Sequence, residues 1–265
     1  MPEGIPFVNT SSIKLGFSVL FAVAFILPPV LSSQVPSPAA ADSNSTKLDD
    51  ITKETQKSVG GSGATGLIWW IPTEFWEESA IQEGTTPEKA RQTFAPMREY
   101  TTVLIAVGKI GIGNINWYSE SELRSNTTLR DVEGTTYKPL TEISADARGI
   151  ASVVKPVLTN ILGPMGQNLQ IMFFPAKTAK GAFIADPVRE GSFSLTVAEP
   201  SGQGQFVFEW LLPLTSLSPP KFCPIGKERV EANWKYCPWH GVKLPGNIPA
   251  AIPLVELKPK NDKSQ

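Results

Sequence analysis

Proline and glycine fall so often along this chain that long regular helices have little room. Its 265 residues include 24 prolines and 21 glycines, about 17% where average usage is roughly 12%. Proline removes a backbone donor and glycine weakens helices, so both favour short strands joined by turns. Strand-like runs recur at that spacing: Tyr100–Val107, Ile115–Tyr118, Leu169–Phe174, Ser192–Ala198 and Gln205–Leu211. Thr127–Val132 and Thr135–Tyr137 flank Glu133-Gly134 as a hairpin would. Helices are expected in three places. One follows Pro72, one runs from the N-cap Thr86 through Pro87 to about Arg98, and one covers Asp146–Leu162, interrupted by Pro156 and stopped by Gly163-Pro164. The sum is a mainly β chain with inserted helices, read as an Ig-like β-sandwich over residues 67–214.

The charge balance narrows the partners. Charged residues make up 18%, the net charge is −1 and the pI is near 6.0. Such a chain lacks the basic field that holds bulk nucleic acid. His240 is the single histidine, so any histidine-dependent nucleophilic mechanism must use it. No G-x-S-x-G elbow is present. Glu74, Glu77 and Glu78 lie beside Trp69, Trp70 and Trp76, a composition that suits a carboxylate-dependent hydrolase acting on sugars. The same residues equally suit a helix start and an aromatic core.

The N-terminus reads as an export signal. Lys14 precedes the apolar run Leu15–Leu27, which Pro28-Pro29 stops. Thirteen helical residues rise about 20 Å, short of the roughly 30 Å hydrocarbon core. Residues 1–31 are therefore expected to be a signal peptide, with an uncleaved anchor as the alternative. Residues 32–66 are polar and end in Gly-Gly-Ser-Gly-Ala-Thr-Gly, a composition expected of a disordered linker, in which a short helix around Leu48–Lys57 would have little to pack against. Gly61–Gly66 spells G-x-G-x-x-G, but a polar tract precedes it and a strand-like run follows, so a flexible tether is expected rather than a nucleotide loop.

Residues 221–244 hold both cysteines, in Cys223-Pro224-Ile225-Gly226-Lys227 and Cys237-Pro238-Trp239-His240-Gly241. This segment resembles a zinc ribbon of the double CPxCG type, a family in which two knuckles each supply two ligands and the metal replaces a core too small to fold alone. His240 stands where the second knuckle's second cysteine would be, while the first knuckle has lost its own. The resemblance implies Cys223, Cys237 and His240 as metal ligands, with Glu228 or Glu231 available as a fourth. Three readings remain open. The preferred one is a Cys223–Cys237 disulfide, favoured by an oxidising compartment and worth about 3 kcal/mol for a loop of this size. The others are two unpaired thiols and a zinc site. No cofactor is expected under the first two, and zinc under the third.

Together these features predict an exported or membrane-anchored, non-enzymatic binding or assembly protein of the cell envelope. Its partner would be a protein or envelope component, and it would touch the membrane only through the N-terminal segment. The alternative is an exported hydrolase using the Trp69–Glu78 region. Residues 245–265 form a polar tail.

Overall fold

A computed structural model describes residues 46–61, 63–202 and 204–246. The signal or anchor at 1–31, the first part of the linker at 32–45 and the tail from 247 onward lie outside the described residues. The chain divides into Met1–Val35 and Pro36–Gln265, and every described residue belongs to the second unit.

The fold is mainly β, with antiparallel sheets and inserted helices. The first sheet contains β1 (Gln56–Gly61), β2 (Ala64–Ile71), β3 (Tyr100–Ile110), β4 (Ile115–Trp117) and β7 (Gln170–Pro175). β3 pairs along one side with β2; its other side carries β7 at Tyr100–Ile105 and β4 at Gly108–Ile110. The second sheet, in the order β6-β5-β8-β9, contains β5 (Thr127–Arg130), β6 (Thr136–Tyr137), β8 (Gly191–Ala198) and β9 (Gln205–Leu212). These orders differ from those of an immunoglobulin sandwich, so the expected Ig-like arrangement is not the one adopted.

Period-2 alternation sorts the side chains into two cores. Ile68, Trp70, Val103, Ile105 and Phe174 of the first sheet meet Leu129, Phe193, Leu195 and Trp210 of the second. Phe193 stacks on Trp210, and both stand edge-on to Trp70. The opposite face of the first sheet, with Trp69, Ile71, Leu104 and Ala106, is covered by helices. These are α1 (Lys47–Thr55), α2 (Thr73–Gln82) and α5 (Ala145–Ile161), with α3 (Pro87–Phe94) at the margin; α4 (Glu120–Asn126) instead buries Leu123 in the core between the sheets. Burial on both faces explains why β2 and β3 read as continuous apolar runs, whereas β8 alternates in burial.

The linker expectation is corrected over its second half. Residues 47–61 form α1 and β1. α1 opens with a Thr46–Asp49 capping box and buries Leu48, Ile51 and Thr55. Its end is a polar junction inside the fold. The Thr55 hydroxyl donates to the Ile51 carbonyl and accepts from Trp69 Nε1 at 3.1 Å. The Thr55 carbonyl accepts from Trp210 Nε1 at 2.8 Å. Gly61–Gly66 is neither tether nor nucleotide loop, because Gly61 and Ala64 pair across the turn between β1 and β2. Gly66 lies where a Cβ would meet the Ala106 carbonyl oxygen at 2.1 Å, so β3 passes against its backbone.

The other expected helices and strands form close to where the pattern places them, whereas α4 at Glu120–Asn126 has no counterpart in the sequence reading. Thr86 caps α3 through the Lys89 amide, with Pro87 at the first turn. The helix then tightens into a 3-10 turn at Ala95–Glu99. α5 carries Pro156 in its interior without being divided.

Candidate metal centre

The segment after β9 is tied to the body before the knuckles begin. Glu54 of α1 accepts from the Thr215 amide at 2.6 Å, the Ser216 amide at 3.0 Å and the Ser216 hydroxyl. Thr215 donates to Glu231 at 2.5 Å and accepts from the Ala232 amide at 2.9 Å. Glu231 is thereby committed to this joint.

Two matching turns follow, 14 residues apart. In the first, β10 (Lys221–Phe222) pairs with β11 (Arg229–Val230), placing Phe222 opposite Arg229. In the second, Tyr236 bridges Lys243. The Lys227 amide donates to the Cys223 carbonyl at 3.0 Å, and the Gly241 amide to the Cys237 carbonyl at 2.8 Å. The Cys223 amide donates to the Glu228 carbonyl at 3.0 Å, and the Cys237 amide to the Val242 carbonyl at 2.9 Å. Even the left-handed residue recurs, with φ of 60° at Lys227 and 63° at Gly241. Glycine adopts that conformation freely and lysine only at a cost, so the first turn is held by its surroundings as well as its sequence.

These turns converge four donors. The ligand atoms of Cys223, Glu228, Cys237 and His240 all lie within 4.8 Å of one another. His240 Nδ1 stands 3.5 Å from Cys223 Sγ, 3.4 Å from Cys237 Sγ and 3.1 Å from Glu228 Oε1, and Cys237 Sγ is 3.2 Å from Glu228 Oε1. Hydrogen bonding alone does not account for this crowding, because Nδ1 offers one proton or one lone pair to three neighbours. The four distances are ones that a tetrahedral zinc site would also have. With bonds of about 2.3 Å to sulfur and about 2.0 Å to nitrogen and oxygen, its sulfur–nitrogen and sulfur–oxygen edges are about 3.5 Å and its nitrogen–oxygen edge about 3.3 Å.

Burial and charge act together here. Both cysteines are buried, while His240 and Glu228 close the solvent side. Burial pushes the Cys237 thiol up, and the neighbouring Glu228 carboxylate adds to the effect. Hydrogen bonding from its own backbone amide holds the Glu228 carboxyl below the usual carboxylate range, with the cysteine thiols contributing. Val230 and Leu244 pack around the sulfurs with Trp234 and Val242.

Gly226 stands where the resemblance to a zinc ribbon would put a second cysteine in the first knuckle. It occupies the position equivalent to His240, and a Cβ there would lie 2.0 Å from Glu228 Oε2 and 2.5 Å from His240 Cε1. The carboxylate of Glu228 therefore fills the space that a side chain at 226 would take. Of the two glutamates considered from sequence, Glu228 joins Cys223, Cys237 and His240, and Glu231 does not.

Both cysteines are free thiols, so the preferred disulfide is not formed in this structure. The carboxylates of the hydrolase alternative have other partners. Arg98 binds Glu74 at 3.1 Å and Glu77 at 2.7 Å, and Lys47 binds Glu78 at 2.8 Å. Burial raises the Glu74 pKa, with Arg98 acting against it. Trp69 and Trp76 are buried in the helical layer, and Trp70 points into the sandwich on the opposite face. Comparison of the chain with models of known families, with curated proteins and with solved structures returns no match.

Proposed function

We propose that this chain is an exported or membrane-anchored, non-enzymatic binding or assembly protein of the cell envelope whose C-terminal ribbon is built around one zinc ion. The observation that carries the metal reading is the convergence of two sulfurs, one imidazole nitrogen and one carboxylate oxygen within 4.8 Å of one another, four of the separations being 3.1–3.5 Å, close to the edges of a tetrahedral site. Four protein donors leave no open position for a substrate or an activated water, which favours a structural metal over a catalytic one. The metal would substitute for a core that is small in this segment: Cys223, Val230, Cys237 and Leu244 are its buried members. The apolar run Leu15–Leu27 supports the envelope location.

The test is elemental analysis of protein purified without chelator, combined with N-terminal sequencing of the mature chain. The reading requires one zinc per chain, lost in His240→Ala and Cys223→Ser. It also requires a mature start near Ser33 or Asp42, or recovery in the membrane fraction. A metal-free chain with a Cys223–Cys237 disulfide defeats the metal reading, and a full-length soluble cytoplasmic product defeats the location.

A further inference from the structure

The two knuckles expose matching side chains around the metal site. Ile225 and Trp239 occupy equivalent positions at the turn tips, and Phe222 and Tyr236 occupy equivalent positions just before the cysteines. All four are exposed. The tips adjoin, since Gly226, next to Ile225, lies against the ring of His240, next to Trp239. Trp239 is steadied edge-on by Trp234 at 5.7 Å. Directly opposite strand neighbours share a face, so Phe222 sides with Arg229 and Tyr236 with Lys243. Each knuckle thus presents an apolar tip, an aromatic ring and a cation.

The charge of this segment is unlike that of the chain. Residues 221–244 contain five cations (Lys221, Lys227, Arg229, Lys235 and Lys243) against two carboxylates, a net of +3 in a chain of net −1. Both carboxylates are engaged, Glu228 with Cys237 and His240 and Glu231 with Thr215. Four of the cations are exposed, while Lys221 is buried and donates to the Ala232 and Trp234 carbonyls.

We infer that the paired knuckle tips dock on an anionic lipid surface, Ile225 and Trp239 entering the headgroup region and Arg229, Lys243, Lys227 and Lys235 meeting lipid phosphates. Tryptophan and tyrosine favour that interface, having an apolar body and a polar edge. Basic side chains add attraction to anionic headgroups. A lipid surface suits a small pair of turn tips carrying apolar and aromatic side chains beside cations, because a few such side chains suffice to engage the interface. This contact goes beyond the N-terminal segment, and it rests on the zinc reading only for the rigidity of its platform.

The experiment uses the full chain on phosphatidylcholine vesicles with and without phosphatidylglycerol, both containing brominated lipid. Zinc is assayed in the bound fraction. Quenching assigned to Trp239 is the difference between wild type and Trp239→Phe. It should appear on the anionic vesicles, be weak on the neutral ones and fall with added salt. Arg229→Glu with Lys243→Glu should lower the anionic preference on the order of 25-fold or more, at roughly fivefold per cation removed. A zinc-loaded chain whose Trp239 is quenched equally on both vesicles, or on neither, overturns the inference. So does protection of Trp239 by a protein partner or self-association in place of lipid. Selective quenching in a zinc-free chain upholds the surface and defeats the metal reading instead.

Discussion

If the cluster holds zinc as proposed, a cysteine placed at position 226 should release Glu228 from the metal. In the proposed site Glu228 would supply the oxygen donor, its Oε1 standing 3.1 Å from His240 Nδ1 and 3.2 Å from Cys237 Sγ. Structural zinc binds small domains with about 10–16 kcal/mol of apparent free energy. One ligand in four therefore corresponds to about 3 kcal/mol, and Glu228→Ala should weaken zinc binding about 100-fold at 1.4 kcal/mol per decade. Gly226→Cys introduces a thiol where a Cβ would overlap Glu228 Oε2 and His240 Cε1. Those atoms are the far ends of side chains, and the backbone at Gly226 is outside the left-handed region, so the substitution displaces the carboxylate rather than the fold. Zinc affinity should then match or exceed wild type, and Glu228→Ala in the Gly226→Cys background should cost less than about threefold, or about 0.7 kcal/mol. Competition with a chromogenic chelator at neutral pH, on variants checked by circular dichroism, measures all four corners. The reasoning fails if Glu228→Ala leaves affinity unchanged in the wild type, or if its cost is undiminished beside the new thiol.

Three further predictions concern the body. Gly66→Ala should destabilise the fold by about 2–4 kcal/mol in denaturant melts, because its Cβ would meet the Ala106 backbone rather than a movable side chain. Thr55→Val keeps the shape but strips the Trp69 indole of its acceptor, at a cost of about 1–3 kcal/mol; an unchanged melt would mean the junction is dispensable. Burial pushes Asp131 up, but the Tyr137 hydroxyl and the Thr135 amide outweigh it and hold the carboxyl below its ordinary range. Its stabilising contribution is complete above the unfolded value and lost as pH falls through the folded one. Wild type should therefore melt above Asp131→Asn at pH 6, and the gap should close in strong acid; a gap independent of pH refutes this.

Local signals were readable without a structure. Thr86-Pro87 starts a helix because a cap and a fixed φ act within one turn, and the Glu133-Gly134 turn joins β5 to β6 for the same kind of reason. The Cys-Pro turns are local too, and Cys223, Cys237 and His240 stood out because these turns resemble the knuckles of a zinc ribbon. α1 was readable only as a possible helix without a packing partner, because its sequence KLDDITKET is mostly polar and what stabilises it is the sheet face that Leu48 and Ile51 cover. Nor did the sequence separate the two faces of β2 and β3, since a strand buried on both sides loses its alternation.

The proposed fourth ligand shows the same division. The sequence by itself determined that two thiols and one imidazole lie on a pair of similar turns. Which glutamate joins them depended on distances between segments: Glu231 is drawn to Thr215 at the joint, and Glu228 reaches the sulfurs through the space left by Gly226. Turn formation is a matter of a few adjacent dihedrals and is written in adjacent residues. Donor convergence depends on how two turns 14 residues apart stack against each other, and packing in three dimensions fixes that.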